Sequence, residues 1–125
     1  MRYIKSNRLT RILKRPEYLR VKQQGASVAE SGVVIQAAPV ANSSSYLHPR
    51  VGFTVSKRVG NAVKRNRARR RLKSIASDVL PKEGFQAWDY VFIGRLVTLD
   101  RPYDLLLEDA RAALRKIHQK PFKKE

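Results

Sequence analysis

The stretch from Ala62 to Val79 constrains this chain more than any other. Ala68, Leu72, Ile75, Ala76 and Val79 recur at i, i+4, i+7, i+8 and i+11, a continuous apolar stripe at the helical period. On the opposite face Asn66, Arg69, Arg70 and Lys73 cluster, with Arg65 and Arg67 flanking them. A helix divided in this way must lay its stripe on a protein core and turn its arginines outward. Asn61 is placed to cap its start, and Pro81 with Gly84 is predicted to end it.

The charge on that outward face is part of a wider asymmetry. The chain carries 27 Lys and Arg against 10 Asp and Glu, a formal net charge of +17. Residues 1–77 hold 18 basic and 2 acidic side chains, whereas residues 78–125 hold 9 and 8. Between Ser31 and Ser77 there is no acid at all. A solvated face normally mixes both signs, and the ion pairs it would contain are missing here, so the first part of the chain calls for a polyanionic partner. Nucleic acid is the leading candidate and an anionic membrane surface the second. An interfacial helix needs its apolar face for lipid, and this one needs its stripe for a core. The longest apolar run, VVIQAAPVA, is far short of the roughly 20 residues of a membrane span.

At 125 residues and 42% hydrophobic, the chain suits one domain with a real core. It has no cysteine, which removes disulfide scaffolds, thiolate metal sites and cysteine nucleophiles, and is compatible with a reducing cytosol. The Arg-rich first fifteen residues have the composition of an organelle transit peptide, but Pro16 interrupts any long amphipathic helix there. A short helix is predicted from Pro16 to about Gln24, with Gly25 as its stop. Val33, Val34 and Ile35 read as a strand, followed by a loop containing Pro39, Asn42-Ser43-Ser44-Ser45 and Pro49. Val51, Phe53 and Val55 alternate with Gly52, Thr54 and Ser56 as in a strand buried mainly on one side. Lys57 and Arg58 stand at its end, before the Gly60-Asn61 turn. Tyr90 to Ile93 form another strand, and Leu106, Ala110, Ala113, Leu114 and Ile117 the stripe of a last helix entered near Asp100 and Pro102. The order helix, strand, strand, helix, strand, helix describes a small α/β sandwich. Its two later helices cover one sheet face, leaving the other for the first helix and a ligand.

Nothing in the sequence is self-sufficient for catalysis. A metal-dependent nuclease wants converging carboxylates, but His48 lies in a loop and His118 near the C-terminus. Asp104 and Glu108 fall early in the last helix, where acids favour the dipole. Ser56 has no evident His and acid partners. Tyr18, among Arg15, Arg20 and Lys22, could stack an unpaired base while the cations hold the backbone. A tyrosine in a short helix is equally a core residue, and composition favours that reading.

The segment RVGFTVSKRVGNAVKRNRARRRLK, residues 50–73, resembles the signature of the protein subunit of bacterial ribonuclease P. Its specific part is Ala62, Arg65-Asn66-Arg67, Arg69-Arg70, Leu72 and Lys73 after a GNAV turn. The likeness extends more weakly over the whole chain, including RLTRILKRPEYLRVKQQGASVA. Two departures stand out: the family usually has a larger aliphatic residue at Ala68, and some members place aromatics at Lys22 and Gln36. The resemblance implies an α+β two-layer sandwich: a four-stranded mixed sheet, three helices and a left-handed βαβ crossover like that of a ribosomal protein S5 domain. It implies a single domain over 1–125, with 1–8 and 119–125 as flexible ends. It also implies a ribonucleoprotein that removes the 5′ leader from precursor tRNA in the cytoplasm. Chemistry is carried by the RNA subunit and the Mg²⁺ it mainly holds, with no catalytic or metal-ligating residue on the protein and no membrane or small-molecule partner. By position, Arg58, Arg65, Asn66, Arg67, Arg69, Arg70 and Lys73 would contact the catalytic RNA. Tyr18, Lys22, Gln36, Ser56 and Lys57 would line or border the leader cleft. The rival classes are a structural RNA-binding protein, such as a ribosomal protein, and a DNA-compacting protein; neither requires Arg65-Asn66-Arg67.

Overall fold

The computed structural model describes residues 9–12, 14–40, 49–85 and 87–119. Of the expected flexible ends, 1–8 and 119–125, all but Gln119 lie outside these residues, as do the Asn-Ser patch and His48; Gln119 is the last residue of a helix. Five strands and three α-helices follow in the order β1 (Thr10–Arg11), α1 (Arg15–Gln24), β2 (Ala26–Ala29), β3 (Val33–Pro39), β4 (Arg50–Thr54), α2 (Ala62–Glu83), β5 (Trp88–Gly94) and α3 (Tyr103–Gln119). Short 3₁₀ turns, Lys57–Val59 and Leu96–Leu99, precede α2 and α3. The sheet order is β1-β4-β5-β3-β2, with β1, β4 and β5 parallel and the β5-β3 and β3-β2 pairs antiparallel. Helix α2 is thus the crossover between adjacent parallel strands.

The sheet has five strands where four were expected. The extra strand is β1, a two-residue parallel addition to β4 that is too short to leave a periodic signature. Strand β2 also escaped the sequence reading, because Ala26-Ser27-Val28-Ala29 offers a single buried apolar side chain. Pro39 is the last residue of β3, paired with Trp88, rather than part of a loop. Pro81 lies inside α2, which runs on to Glu83 and stops at Gly84. Proline in a final turn removes one backbone bond, and here its ring is buried. Lys57 and Arg58 belong to the 3₁₀ turn, which Ser56 caps by accepting the Arg58 N–H at 3.3 Å.

The two sheet faces are packed unequally. Val33, Ile35 and Ala37 of β3, Val51 and Phe53 of β4, and Tyr90 and Phe92 of β5 face α2 and α3. Every residue of the two helical stripes is fully buried against them. Each large side chain so buried contributes about 1.5–3 kcal/mol, so this face carries most of the stability. The second face holds a small cluster, Ile12, Val21 and Val91, with Tyr18 and Ile93 at its margin. Helix α1 covers only part of it.

Tyr90 ties the end of β5 to α3. Its hydroxyl accepts the Phe85 N–H at 2.9 Å and shares a hydrogen bond with His118 Nε2 at 2.8 Å, while Phe85 stacks on the imidazole. Burial lowers the His118 pKa from 6.5 to about 4. Between those values the unfolded chain binds a proton that the folded one rejects, so stability falls as the pH drops through this window and is insensitive to His118 above it. The expected loss is on the order of 1–2 kcal/mol, below the full shift because the ring is partly exposed. Urea denaturation at pH 7 and 4.5 measures it, and His118→Gln, which can hydrogen-bond but does not titrate, should flatten the difference.

Candidate nucleic-acid interface

Two surfaces emerge, one on α2 and one on the sheet. Helix α2 begins where Gly60 turns the chain with φ +148°, a conformation that a side chain would strain. Asn61 Oδ1 then accepts the Lys64 N–H at 3.0 Å, the cap foreseen from sequence. Beyond it Asn66, Arg67, Arg70 and Lys73 are exposed, while Arg65 and Arg69 are half-buried. Arg65 donates to the Gly60 carbonyl at 2.8 Å, clasping the turn, and Arg69 donates to Asn66 Oδ1 at 3.3 Å. Arg67 meets Asp100 at 3.4 Å with side chains 52% and 87% exposed, a contact too solvated to hold the guanidinium back from a phosphate. Among the described residues no carboxylate lies within ion-pair distance of Arg58, Arg69, Arg70 or Lys73. Arg71 points away from this row and donates to the Arg101 carbonyl.

The second surface is the part of the sheet that α1 leaves uncovered. Ser27, Gln36, Val91 and Gly52 are in register across β2, β3, β5 and β4, and Ala29, Val34, Ile93 and Thr54 form the next row. Gln36, Val34, Ile93 and Thr54 are half-buried, and Ser27 and Ala29 exposed. Tyr18 lies over Gly52: a Cβ there would meet the phenol oxygen at 2.5 Å, so only glycine admits the ring. The Tyr18 hydroxyl donates to the Ile12 carbonyl at 3.2 Å. Its ring is half-buried, neither core nor free. Lys22 is exposed one turn further along α1, and Ser56 and Lys57 are exposed just past the end of β4. The structure therefore brings Tyr18 and Gln36 to the same sheet face, with Lys22, Ser56 and Lys57 on flanking elements.

The sequence reading missed how α1 is held. Asp89, on β5 and fully buried, receives Nε and NH2 of Arg50, each at 2.7 Å, and NH2 of Arg20 at 2.8 Å. Arg50 also donates to Glu17 at 3.0 Å, and Arg20 to the Pro39 carbonyl at 3.2 Å. The Asp89 hydrogen bonds hold the Arg50 guanidinium still more firmly charged than usual. Two arginines counted toward a polyanion-binding surface thus serve internal bonds instead. The signal was present: an acid between Trp88 and Tyr90 in an apolar strand requires cationic partners. A second such knot joins the β2-β3 turn to α3, where Asp109 accepts from Gly32 N–H at 2.9 Å and Arg101 Nε at 2.6 Å. Asp104 and Glu108 are exposed at the start of α3, as expected for structural acids.

A sequence model of the ribonuclease P protein family, described as Ribonuclease P, matches residues 7–118. The chain belongs to that family. It is 49% identical over 111 residues to the ribonuclease P protein component of Paramagnetospirillum magneticum, covering 88% of this chain and 84% of that one. To the component of Ruegeria pomeroyi it is 46% identical over 117 residues, 90% of each. The solved Staphylococcus aureus RNase P protein superposes with a TM-score of 0.70 at 27% identity, covering 87% of this chain and 95% of that one. The α+β class foreseen from sequence holds, and the chain is a ribonuclease P protein subunit that serves tRNA 5′ processing.

Proposed function

We propose that the protein binds the catalytic RNA of ribonuclease P through α2 and the single-stranded 5′ leader of precursor tRNA through the open sheet face. The observation that carries this reading is the row Asn66, Arg67, Arg70 and Lys73, exposed and almost without acid. Guanidinium groups on one rigid face suit phosphates of a folded RNA, whose base edges are hard to reach. Arg58, Arg65 and Arg69 border that row. Half-buried Tyr18 with Gln36, Lys22, Ser56 and Lys57 suits an extended strand held by stacking and backbone charge, with little sequence preference. Cleavage is assigned to the RNA with its own Mg²⁺, in the cytoplasm. Among the described residues no three potential ligands come together for a metal ion. Asp89 and Asp109 are engaged by arginines. No helix of the described residues is long and apolar enough to cross a membrane.

The test is reconstitution with the catalytic RNA at low Mg²⁺, comparing affinity for precursor and mature tRNA with and without the protein. The protein should favour the precursor, and equal enhancement for both would sink the leader assignment. Tyr18→Ala should leave assembly intact and reduce the precursor preference roughly ten-fold, the worth of one stacked base.

A further inference from the structure

We propose that Asp89 is a positioning residue for the leader-binding face, acting through α1 to fix where Tyr18 lies. This rests on the leader reading above. The apolar seat of α1 is small, with Ile12, Val21 and Val91 as its buried members. So little non-directional contact leaves a short helix able to slide or rotate over the sheet. The polar bonds remove that freedom. Arg20 and Glu17 flank Tyr18 in sequence, and both end on the Asp89–Arg50 pair. Arg50 precedes Gly52, the residue under the phenol, by two positions on the same strand. Helix and seat are therefore registered against one carboxylate. Bidentate and charge-assisted bonds set direction as well as distance, whereas a buried ion cluster adds little net stability over an apolar one. A positioning role accounts for four charged side chains gathered at this point.

The experiment uses full-length protein, wild type, Arg20→Met, Arg20→Lys and Tyr18→Ala, each reconstituted with the catalytic RNA. Arg20→Met removes the direct bond from α1 to Asp89 and leaves the Arg50–Asp89 pair and the Glu17–Arg50 contact in place. It should lower the ratio of precursor to mature tRNA affinity roughly five-fold, with affinity for the catalytic RNA kept within about two-fold, as expected for a displaced stacking ring. Arg20→Lys should restore part of the ratio. In the free protein, amides of α1 should exchange faster in Arg20→Met while those of α2 do not change. If Tyr18→Ala lowers the ratio and Arg20→Met does not, or if α1 exchange is unaltered, the inference is overturned while the leader reading stands. An equal loss of catalytic-RNA affinity would also overturn it. If neither variant moves the ratio, the leader reading fails and takes this inference with it. Should Arg20→Met not fold, Glu17→Gln is read by the same outcomes.

Discussion

Replacing Asp89 with alanine is expected to lower folding stability by about 3–5 kcal/mol. Arg50, whose side chain is 11% exposed, has two N–H groups on that carboxylate. Once the carboxylate is gone, a charged guanidinium stays in a place water barely reaches, with Glu17 at 3.0 Å as its partner among the neighbouring acids. Desolvation that was compensated becomes a net cost. Equilibrium urea denaturation measures the loss, and Asp89→Ala combined with Arg50→Met should recover part of it, because the apolar pair removes the under-compensated guanidinium. A change under about 1 kcal/mol in the single variant would mean that the guanidinium reaches solvent and the pair contributes as a surface contact does. The acid lost here lies on the sheet face away from α2 and α3, so unfolding should begin with release of α1.

Arg67→Ala together with Arg70→Ala is expected to weaken binding to the catalytic RNA on the order of 100-fold at low salt, about ten-fold for each charge-assisted phosphate contact. The slope of log affinity against log salt should become shallower by roughly 0.7–0.9 per arginine, so the deficit shrinks as salt rises. Both side chains are exposed, and folding stability should move by less than about 0.5 kcal/mol. Filter binding across a salt series, with a denaturation curve on the same variant, reads both quantities. Unchanged affinity at low salt would remove these residues from the interface. Arg65 makes a poorer probe than its place in the motif suggests. Its bond to the Gly60 carbonyl means that truncation also loosens the turn that starts α2, mixing a structural effect with an electrostatic one.

The legible parts of this protein are those with a period or a motif. The stripes of α2 and α3 are visible because burial repeats every three to four residues over several turns. The Asn61 cap and a start of α1 beside Pro16, which lies in its first turn, follow from local chemistry. Strands β1 and β2 were not legible: one has two residues and the other a single buried side chain. Their pairing comes from neighbours distant in sequence rather than from their own pattern. Tyr18 shows the same division. Its sequence context allowed either a core or a stacking residue, and the choice depends on Gly52, thirty-four positions away, which lets the ring lie half-open on the sheet.

By itself the sequence determined the amphipathic helix, the acid-free face it presents, and the kinship carried by Arg65-Asn66-Arg67, since each depends on residues close together in the chain. Which arginines that charge leaves for a partner was decided by the tertiary structure alone. Arg20 and Arg50 look like others of their kind in the sequence, yet both converge on Asp89. Arg67, Arg70 and Lys73 remain at the surface. The reason is that a carboxylate buried in a sheet must recruit cations from whichever elements pack beside it, and which elements those are is set by the fold.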